Sequence, residues 1–333
     1  MLVAARQQAG LSMSESGARM RVVMFGYQAW GHRTLSALLD SEHSVAGVVT
    51  HPASAHAYEK IWADSVEDLA RANDIPVHIA RRPDAALVAQ LSEWAPEIIV
   101  ANNWRTWLPP EVFDLPPHGT LNVHDSLLPE FAGFSPVPWA LISGASQVGL
   151  TAHRMDGGLD TGDIAVQRAV PIGPGSTGTG LVNATIDLIP EVVLDALASI
   201  EAGTVVWRPQ DLARRTFFHK RTDVDSLIDW SWPAEDIDRL VRAMSDPYPS
   251  AHTYYRGVRV EITAAHVSSY RYGGTPGRIF IKEDDGMAIV AGGDAYRGGR
   301  RALVLDRVRT PDGIEQRAAD YFASGGGYLS REP

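Results

Sequence analysis

The stretch RVVMFGYQAWGHRTLSALLDSEHSVAGVVTH, residues 21–51, decides the fold class of this chain. It opens with an apolar, β-branched run at 21–27, continues with helical spacing over 31–42, and returns to an apolar run at 43–51. Short runs of this kind are typical of buried strands, and apolar residues spaced three and four apart are typical of a helix that lies against them. The stretch therefore predicts a strand, a helix and a second strand.

The same alternation continues to about residue 203. It favours an α/β fold in which a Rossmann-like parallel sheet carries helices on both faces. We predict further strands over 76–80, 96–102, 119–125, 148–155 and 163–172, and helices over 65–75, 84–95, 136–144 and 176–203.

The alternation of strand and helix patterns ends at about residue 205. An irregular segment and a helix at 234–245 lead to short β segments separated by glycine-containing turns, as a small barrel requires. We therefore expect a flexible N-terminal extension, an α/β catalytic domain, a linker with a helix, and a small, mostly-β, OB-like domain. The expected bounds of these four parts are 1–19, 20–205, 206–255 and 256–333.

The composition of the chain excludes several kinds of chemistry. There is no cysteine, which rules out disulfides, thiolate metal sites and a cysteine nucleophile. The chain carries 30 Lys and Arg against 40 Asp and Glu, a net charge of −10, so nucleic acid is not the expected partner. Because no apolar run reaches about 18 residues and the N-terminus has no secretory signal, we expect a cytoplasmic protein without a membrane partner.

Two polar side chains stand at the end of a predicted strand. Asn122 and His124 are separated by one residue, so they point to the same side, at the edge of a parallel sheet where ligands bind. Asp160 follows in a glycine-rich loop at 157–163. An amide can stabilise a developing oxyanion, an imidazole can handle a proton, and a carboxylate can orient that imidazole. The set is suited to the attack of an amine on a carbonyl carbon.

Simpler interpretations of these residues have to be weighed. An isolated Asn-x-His is more often an incidental strand end than an active site. The Asp-Thr-Gly at 160–162 also occurs in aspartic proteases, but that fold needs a second copy of the motif and two β halves, and the sequence holds neither. The surrounding sequence therefore has to decide.

The segment NVHDSLLPEFAGFSPVPWALISG (122–144), followed by TAHRMDGGLDTGDI (151–164), resembles the signature of the formyltetrahydrofolate-dependent formyltransferases. The resemblance begins near residue 21, and PGRIF (276–280) with the β segments after it is similar to the small C-terminal domain of that family. It implies an enzyme that moves a formyl group from the co-substrate 10-formyltetrahydrofolate to an amine. Asn122, His124 and Asp160 would then be the catalytic residues, and no metal is implied.

The resemblance also implies where the folate binds. The backbone of 104–108 would bind the pterin edge, and 126–128 would line the formyl pocket. Core packing is the alternative role for Trp104 and Trp107. The implied folate contacts are Asn103, Trp104, Arg105, Thr106, Trp107, Leu108, Ser126, Leu127, Leu128 and Asp156.

The identity of the acceptor amine rests on departures from the family pattern. Phe-Ala-Gly at 131–133 replaces a Tyr-Arg-Gly, which removes a cation beside the acceptor cleft, and Lys60 is the only Lys or Arg in the segment 51–65, where tRNA-specific members carry a basic loop. We therefore expect a small-molecule amine, hydroxyornithine in siderophore biosynthesis, with a nucleotide-linked amino sugar, methionyl-tRNA and water (a formyltetrahydrofolate hydrolase) as alternatives. A folate-binding protein with a relic site is disfavoured by the intact catalytic residues. A homodimer is possible, and which group removes the first amine proton stays open.

Overall fold

The structure is a computed structural model that describes residues 20–54, 61–292, 299–322 and 326–333. The extension expected at 1–19 lies outside the described residues, and so does Lys60.

The N-terminal domain is built on a seven-stranded sheet. Its strands are β1 (Arg21–Gly26), β2 (Ser44–Thr50), β3 (Val77–Ile79), β4 (Ile98–Asn102), β5 (Thr120–His124), β7 (Gln147–Arg154) and β8 (Ile164–Pro171), and a separate parallel pair is formed by β6 (Ala132–Gly133) and β9 (Phe217–Phe218). The order across the sheet is β3-β2-β1-β4-β5-β7-β8. The strands from β3 to β5 run parallel, whereas β7 and β8 are antiparallel to their neighbours. The predicted α/β, parallel-sheet fold is confirmed, with an antiparallel pair added at one edge.

Helices cover both faces of this sheet. They are α1 (Gln28–Leu39), α2 (Val66–Ala72), α3 (Ala85–Trp94), α4 (Pro110–Phe113), α5 (Pro136–Ile142), α6 (Gly178–Asp187) and α7 (Ile189–Glu201). Along β1, Val22 and Met24 join a core with α1 and α7, whereas Val23 and Phe25 join a core with α3 and α4. Burial on both faces explains why this strand is apolar without interruption. Throughout the described ranges, every helix is too short or too polar to cross a bilayer.

The single helix predicted over 176–203 is wrong. The chain forms α6 and α7 there, and Leu188 is the C-cap of α6 and the N-cap of α7. Pro190 is the second residue of α7. Because proline has no N–H to donate to the preceding turn, it interrupts a continuous helix but is tolerated in the first turn of a new one.

The C-terminal domain is an antiparallel barrel. Its elements are α8 (Ala234–Ala243), β10 (Ala251–Tyr255), β11 (Val258–Tyr272), β12 (Ile279–Glu283), β13 (Gly286–Ile289), β14 (Arg300–Arg309), β15 (Glu315–Arg317), α9 (Ala318–Tyr321) and β16 (Leu329–Ser330). The order β12-β13-β14-β11-β10-β16 closes on itself, because the N–H of Leu329 donates to the carbonyl oxygen of Gly277 at 2.8 Å and that of Ile279 to Gly327 at 3.2 Å. The mostly-β fold expected for this part is confirmed.

Part of the segment expected to be a linker, 206–255, lies in the core of this barrel domain. Ile237 and Leu240 of α8 are buried there with residues of β10 and β11. Before α8 the chain forms β9 and two 3-10 turns, Leu212–Arg214 and Asp223–Ser226. The division of the chain at residue 255 stays a prediction, and the packing favours a domain that begins before α8.

Candidate active site

Strand β5 places Asn122 and His124 on one side of the sheet, where both line the same cavity. The strand pairs antiparallel with β7, in a register that sets Asn122 opposite His153 and His124 opposite Thr151. Val123, between them, points the other way into the core with α7. The alternation of side chains along a strand therefore brings the amide and the imidazole together, as their spacing predicted.

His153 fixes the orientation of the Asn122 amide. Its Nδ1 lies 2.9 Å from the carbonyl oxygen of Arg154, so Nδ1 carries the hydrogen and donates it. Its Nε2 is then an acceptor and receives a hydrogen bond from Nδ2 of Asn122 at 3.1 Å. Burial is the main cause that lowers the pKa of His153, although Asp160 acts in the opposite direction. The second amide hydrogen of Asn122 stays available for an oxyanion.

The imidazole of His124 is held by the backbone rather than by the carboxylate that we expected to hold it. Its Nε2 lies 3.1 Å from the carbonyl oxygen of Phe131, which can only accept, so Nε2 is the donor. Its Nδ1 lies 3.9 Å from Oδ1 of Asp160, which is an ion-pair distance and too long for a hydrogen bond. Asp160 therefore acts on His124 through its charge.

Asp160 sits at the junction of three segments. Its Oδ2 accepts a hydrogen bond from the N–H of Gly133 at 3.0 Å, and its Oδ1 lies 4.0 Å from Nε2 of His153. The side chain of Gln210 donates to the backbone carbonyl oxygens of Asp160 and Gly162 at 3.0 and 2.8 Å. Asp160 has a left-handed backbone, with φ of 52°, which these contacts stabilise.

Asp156 organises the same loop. Its Oδ1 accepts hydrogen bonds from the N–H of Gly158 at 2.9 Å and from the hydroxyl of Thr161 at 2.5 Å. Asp156 also lines the cavity, where the resemblance placed a folate contact. The structure thus gives it a local role in the loop that positions Asp160.

One cavity of about 470 Å³ connects these residues to most of the expected folate segment. Trp104 stacks on His51 with ring centroids 4.0 Å apart and packs on the core, whereas Trp107 is 56% exposed, so core packing applies only to the first. The indole N–H of Trp104 and the hydroxyl of Thr106 are buried without a hydrogen-bond partner within the described residues. The expected folate contacts that line the cavity are Asn103, Trp104, Arg105, Thr106, Trp107, Leu108 and Asp156.

The other three expected folate contacts do not line this cavity, and their assignment to the formyl pocket stays a prediction. Ser126 is buried and its hydroxyl donates to the carbonyl oxygen of Glu130 at 2.8 Å. The N–H of Leu128 donates to the hydroxyl of Thr151 at 3.1 Å. The chain turns under the sheet after β5, so Ser126, Leu127 and Leu128 line a second cavity beside β8 instead.

The sequence interpretation missed a group of aromatic side chains that line the main cavity. Trp30 of α1, Trp62 and Tyr248 form an aromatic wall there, with ring centroids 5.8 Å apart for the first pair and 5.1 Å for Trp62 and Tyr248. Asp125 lies beside them, and burial raises its pKa to about 6 although His124 lowers it. Only the position of Asp125 next to His124 could have indicated this wall, because its aromatic members are far apart in the chain.

Family models and individual relatives both match this chain to the same family. Residues 19–197 match the family described as Formyl transferase, and residues 220–325 match Formyl transferase, C-terminal domain. The methionyl-tRNA formyltransferase of Pseudomonas putida is 35% identical over 309 residues, which cover 92% of this chain and 96% of that protein. The methionyl-tRNA formyltransferase of Pseudomonas fluorescens is 34% identical over 92% of this chain and 93% of its own length.

Solved structures with lower identity support the fold alone. The N-formyltransferase of Helicobacter canadensis, solved with folinic acid and dTDP-3-aminofucose, is 17% identical over 86% of this chain and 98% of its own, with a TM-score of 0.65. HypX from Aquifex aeolicus, solved with tetrahydrofolic acid, is 21% identical over 92% of this chain and 47% of its own, with a TM-score of 0.57.

These relatives correct one expectation. Hydroxyornithine in siderophore biosynthesis is wrong as the acceptor, because the relatives at about 35% identity over 92% of the chain are methionyl-tRNA formyltransferases. The missing arginine concerns one position, and the acidic charge is a total that does not locate any surface. Neither outweighs similarity along the whole chain. Formyl transfer itself is supported by the matched family and by these relatives. With its two matched domains in family order, the chain belongs to the formyl transferase family and is a formyltransferase.

Proposed function

We propose that this enzyme transfers the formyl group of 10-formyltetrahydrofolate to the amino group of methionyl-tRNA. The observation that carries the proposal is the 35% identity to a methionyl-tRNA formyltransferase, which extends over 96% of that relative. Similarity of this length includes the α/β domain, the connecting segment and the barrel.

The cavity offers groups that suit each of the two substrates. Residues 103–108 offer the buried, unpartnered donors of Trp104 and Thr106, which suit the polar edge of a pterin. Asn122 and His124 line the same cavity as this segment and as the aromatic wall formed by Trp30, Trp62 and Tyr248. When bound, the co-substrate supplies the formyl group beside Asn122 and His124.

We assign the roles of the polar residues from their hydrogen bonds. Asn122 directs its second amide hydrogen at the oxygen of the formyl group, where negative charge develops as the amine attacks. His124 stands beside it, with its Nδ1 3.9 Å from the carboxylate of Asp160. His153 keeps Asn122 in place and stays neutral itself.

A basic and aromatic segment supports a nucleic-acid acceptor despite the net charge of −10. The segment RRTFFHKR (214–221) runs along the rim of the cavity, because β9 pairs with β6 next to Asp160. Phe217 is 56% exposed and Arg215 lies over its ring at 3.9 Å. Basic side chains beside an exposed aromatic ring suit an unpaired nucleotide end, since they combine phosphate contacts with stacking.

The test measures tetrahydrofolate release from 10-formyltetrahydrofolate with methionyl-tRNA as acceptor. Uncharged tRNA and a reaction without acceptor are the controls, and the second of these also measures hydrolysis. Release that requires the aminoacyl group, and that slows as salt is raised, supports the proposal. Equal release in the absence of an amine would instead indicate a hydrolase.

A second candidate acceptor is a small-molecule amine such as a nucleotide-linked amino sugar. The acidic charge favours it, because a free amine does not need the broad basic surface that binds a polyanion. The same assay with a nucleotide-linked amino sugar separates the two acceptors. A cytoplasmic location and a homodimer stay predictions for either acceptor.

A further inference from the structure

A carboxylate beside the aromatic wall has one oxygen without a hydrogen-bond partner among the described residues. Asp125 follows His124 at the end of β5 and lines the cavity beside the aromatic wall. Its Oδ1 is buried and makes no hydrogen bond to any of the described residues. The indole N–H of Trp30 is near enough to lower the pKa of Asp125, but it also remains without a hydrogen-bond partner. A buried carboxylate with an unsatisfied oxygen is unfavourable, so a ligand that supplies a hydrogen bond to this oxygen would be stabilised here.

The charged and titratable groups around Asp125 come from three parts of the chain. His124 adjoins it in β5, Lys220 and Arg221 line the cavity from the segment before α8, and Tyr248 faces it from the segment before β10. The charge of His124 lowers the pKa of Asp125, yet burial outweighs it and raises that pKa to about 6. A carboxyl group with this pKa is ionised at neutral pH and is a better proton acceptor than an exposed aspartate.

The other ionisable groups beside Asn122 each have a contact with a described residue. Nε2 of His124 donates to the carbonyl oxygen of Phe131, and its remaining nitrogen faces Asp160. Asp160 accepts a hydrogen bond from the N–H of Gly133. Among the described residues that line the cavity near His124, Asp125 is thus the carboxylate with an oxygen still to be satisfied.

We propose that Asp125 binds the ammonium group of the acceptor against the aromatic wall and takes one of its protons. The inference rests on the proposed formyl transfer. An ammonium group satisfies the buried oxygen, and the aromatic rings of Trp62 and Tyr248, which line the same cavity, suit a cation. Because an amine attacks only when it is neutral, the same contact prepares the nucleophile.

The step balances in atoms and charge. One proton moves from the ammonium group to Asp125, and the neutral nitrogen forms a bond to the formyl carbon. The bond between that carbon and N10 of the folate breaks, and a second proton of the amine passes to N10. Asp125 then releases its proton to water, so the sum is a formamide, tetrahydrofolate and one proton.

The first experiment compares Asp125→Asn with the wild type. The amide keeps the size of the side chain but cannot take a proton. We expect kcat/KM for methionyl-tRNA to fall about 10²-fold or more, the range of general-base catalysis, while the affinity for 5-formyltetrahydrofolate changes by less than about twofold. Asp125→Glu should keep part of the activity. Asp40 is exposed at the C-terminal end of α1, whereas Trp30 lies near its N-terminal end, so Asp40→Asn should have wild-type activity. A variant within about threefold of wild type overturns the proposal, and so does loss of folate affinity together with activity, which would indicate a structural role.

The pH dependence of kcat/KM distinguishes proton transfer by Asp125 from a purely structural role, which would leave this dependence unchanged. Asp125 must be ionised to act, so wild-type kcat/KM should fall as the pH drops below about 6. In Asp125→Asn this limb should disappear, and the remaining rate should follow the ionisation of the amine itself. An unchanged limb near pH 6 in the variant overturns the proposal.

A binding measurement separates this inference from the choice of acceptor. We would titrate L-methionine methyl ester into wild type and Asp125→Asn, each saturated with tetrahydrofolate, by calorimetry. Binding to the wild type that weakens about tenfold or more in the variant supports the ammonium site even if methionyl-tRNA is not turned over. Equal binding to both proteins, or binding to neither, overturns the inference whatever the acceptor is.

Discussion

Nδ2 of Asn122 lies 3.1 Å from Nε2 of His153, and this contact joins two strands that run in opposite directions. The partner of His153 on its other side is the carbonyl oxygen of Arg154, so the direction of the hydrogen bond is fixed by the backbone. His153 therefore acts through Asn122, as a positioning residue.

Replacing His153 should lower kcat more than the affinity for either substrate. His153→Phe removes the acceptor of the Asn122 amide, and we expect kcat to fall about 10-fold to 10²-fold, somewhat less than removal of an oxyanion donor. His153→Gln, whose amide oxygen can accept the same hydrogen bond, should recover part of the loss. Steady-state kinetics with both variants decide this. If His153→Phe keeps more than about a third of the wild-type kcat, the hydrogen bond between Asn122 and His153 does not contribute to turnover.

Replacing Asn122 or His124 should abolish turnover but spare folate binding. For Asn122→Ala we expect a loss of about 10²–10³ in kcat, because one donor to the developing oxyanion is removed. His124→Ala should be at least as impaired. Single-turnover rates, together with calorimetric binding of 5-formyltetrahydrofolate, separate chemistry from binding. Wild-type turnover of His124→Ala would contradict the assigned mechanism.

The loop that carries Asp160 offers a matched pair of glycine substitutions. A Cβ at Gly162 would lie 1.7 Å from the carbonyl oxygen of Arg154, whereas a Cβ at Gly157 would meet no atom within 4 Å. Gly162→Ala should therefore displace Asp160, lower kcat about tenfold or more, and cost about 1–3 kcal/mol of stability. Gly157→Ala should resemble the wild type in thermal unfolding and in activity. Equal behaviour of the two variants would refute the close approach at residue 162.

The raised pKa of Asp125 makes a prediction about stability. A carboxyl whose pKa rises from 3.8 to about 6 on folding stabilises the folded state fully below 3.8, and that contribution is lost as the pH rises through 6. At pH 8 the buried charge is therefore unfavourable. Asp125→Asn should raise the free energy of unfolding there by about 1–3 kcal/mol, and the gain should shrink as the pH falls from 6 to 4.

Thermal unfolding at pH 8, 6 and 4, with Asp40→Asn as the control for charge, measures this gain. A variant that is more stable but less active is typical of a residue kept for function. If Asp125→Asn is less stable than the wild type at pH 8, the carboxylate has a structural partner instead.

Local patterns were enough to predict much of this enzyme. The run at 21–51 predicted strand, helix and strand because the period of apolar residues is a local property of each element. The spacing of Asn122 and His124 placed both on one side of β5 for the same reason. Their motif, continued by the loop of Asp160, indicated the family.

Tertiary structure alone decided the contacts between distant segments. The register of β7 against β5 brought His153 to Asn122, 31 residues away in the chain, and the fold brought Trp30 and Tyr248, from distant segments, close to Asp125. The same folding turned 126–128 away from the cavity where the motif had suggested them. A sequence determines the period and the chemistry of each element, whereas strand register and the meeting of separate elements depend on how all side chains fill one core.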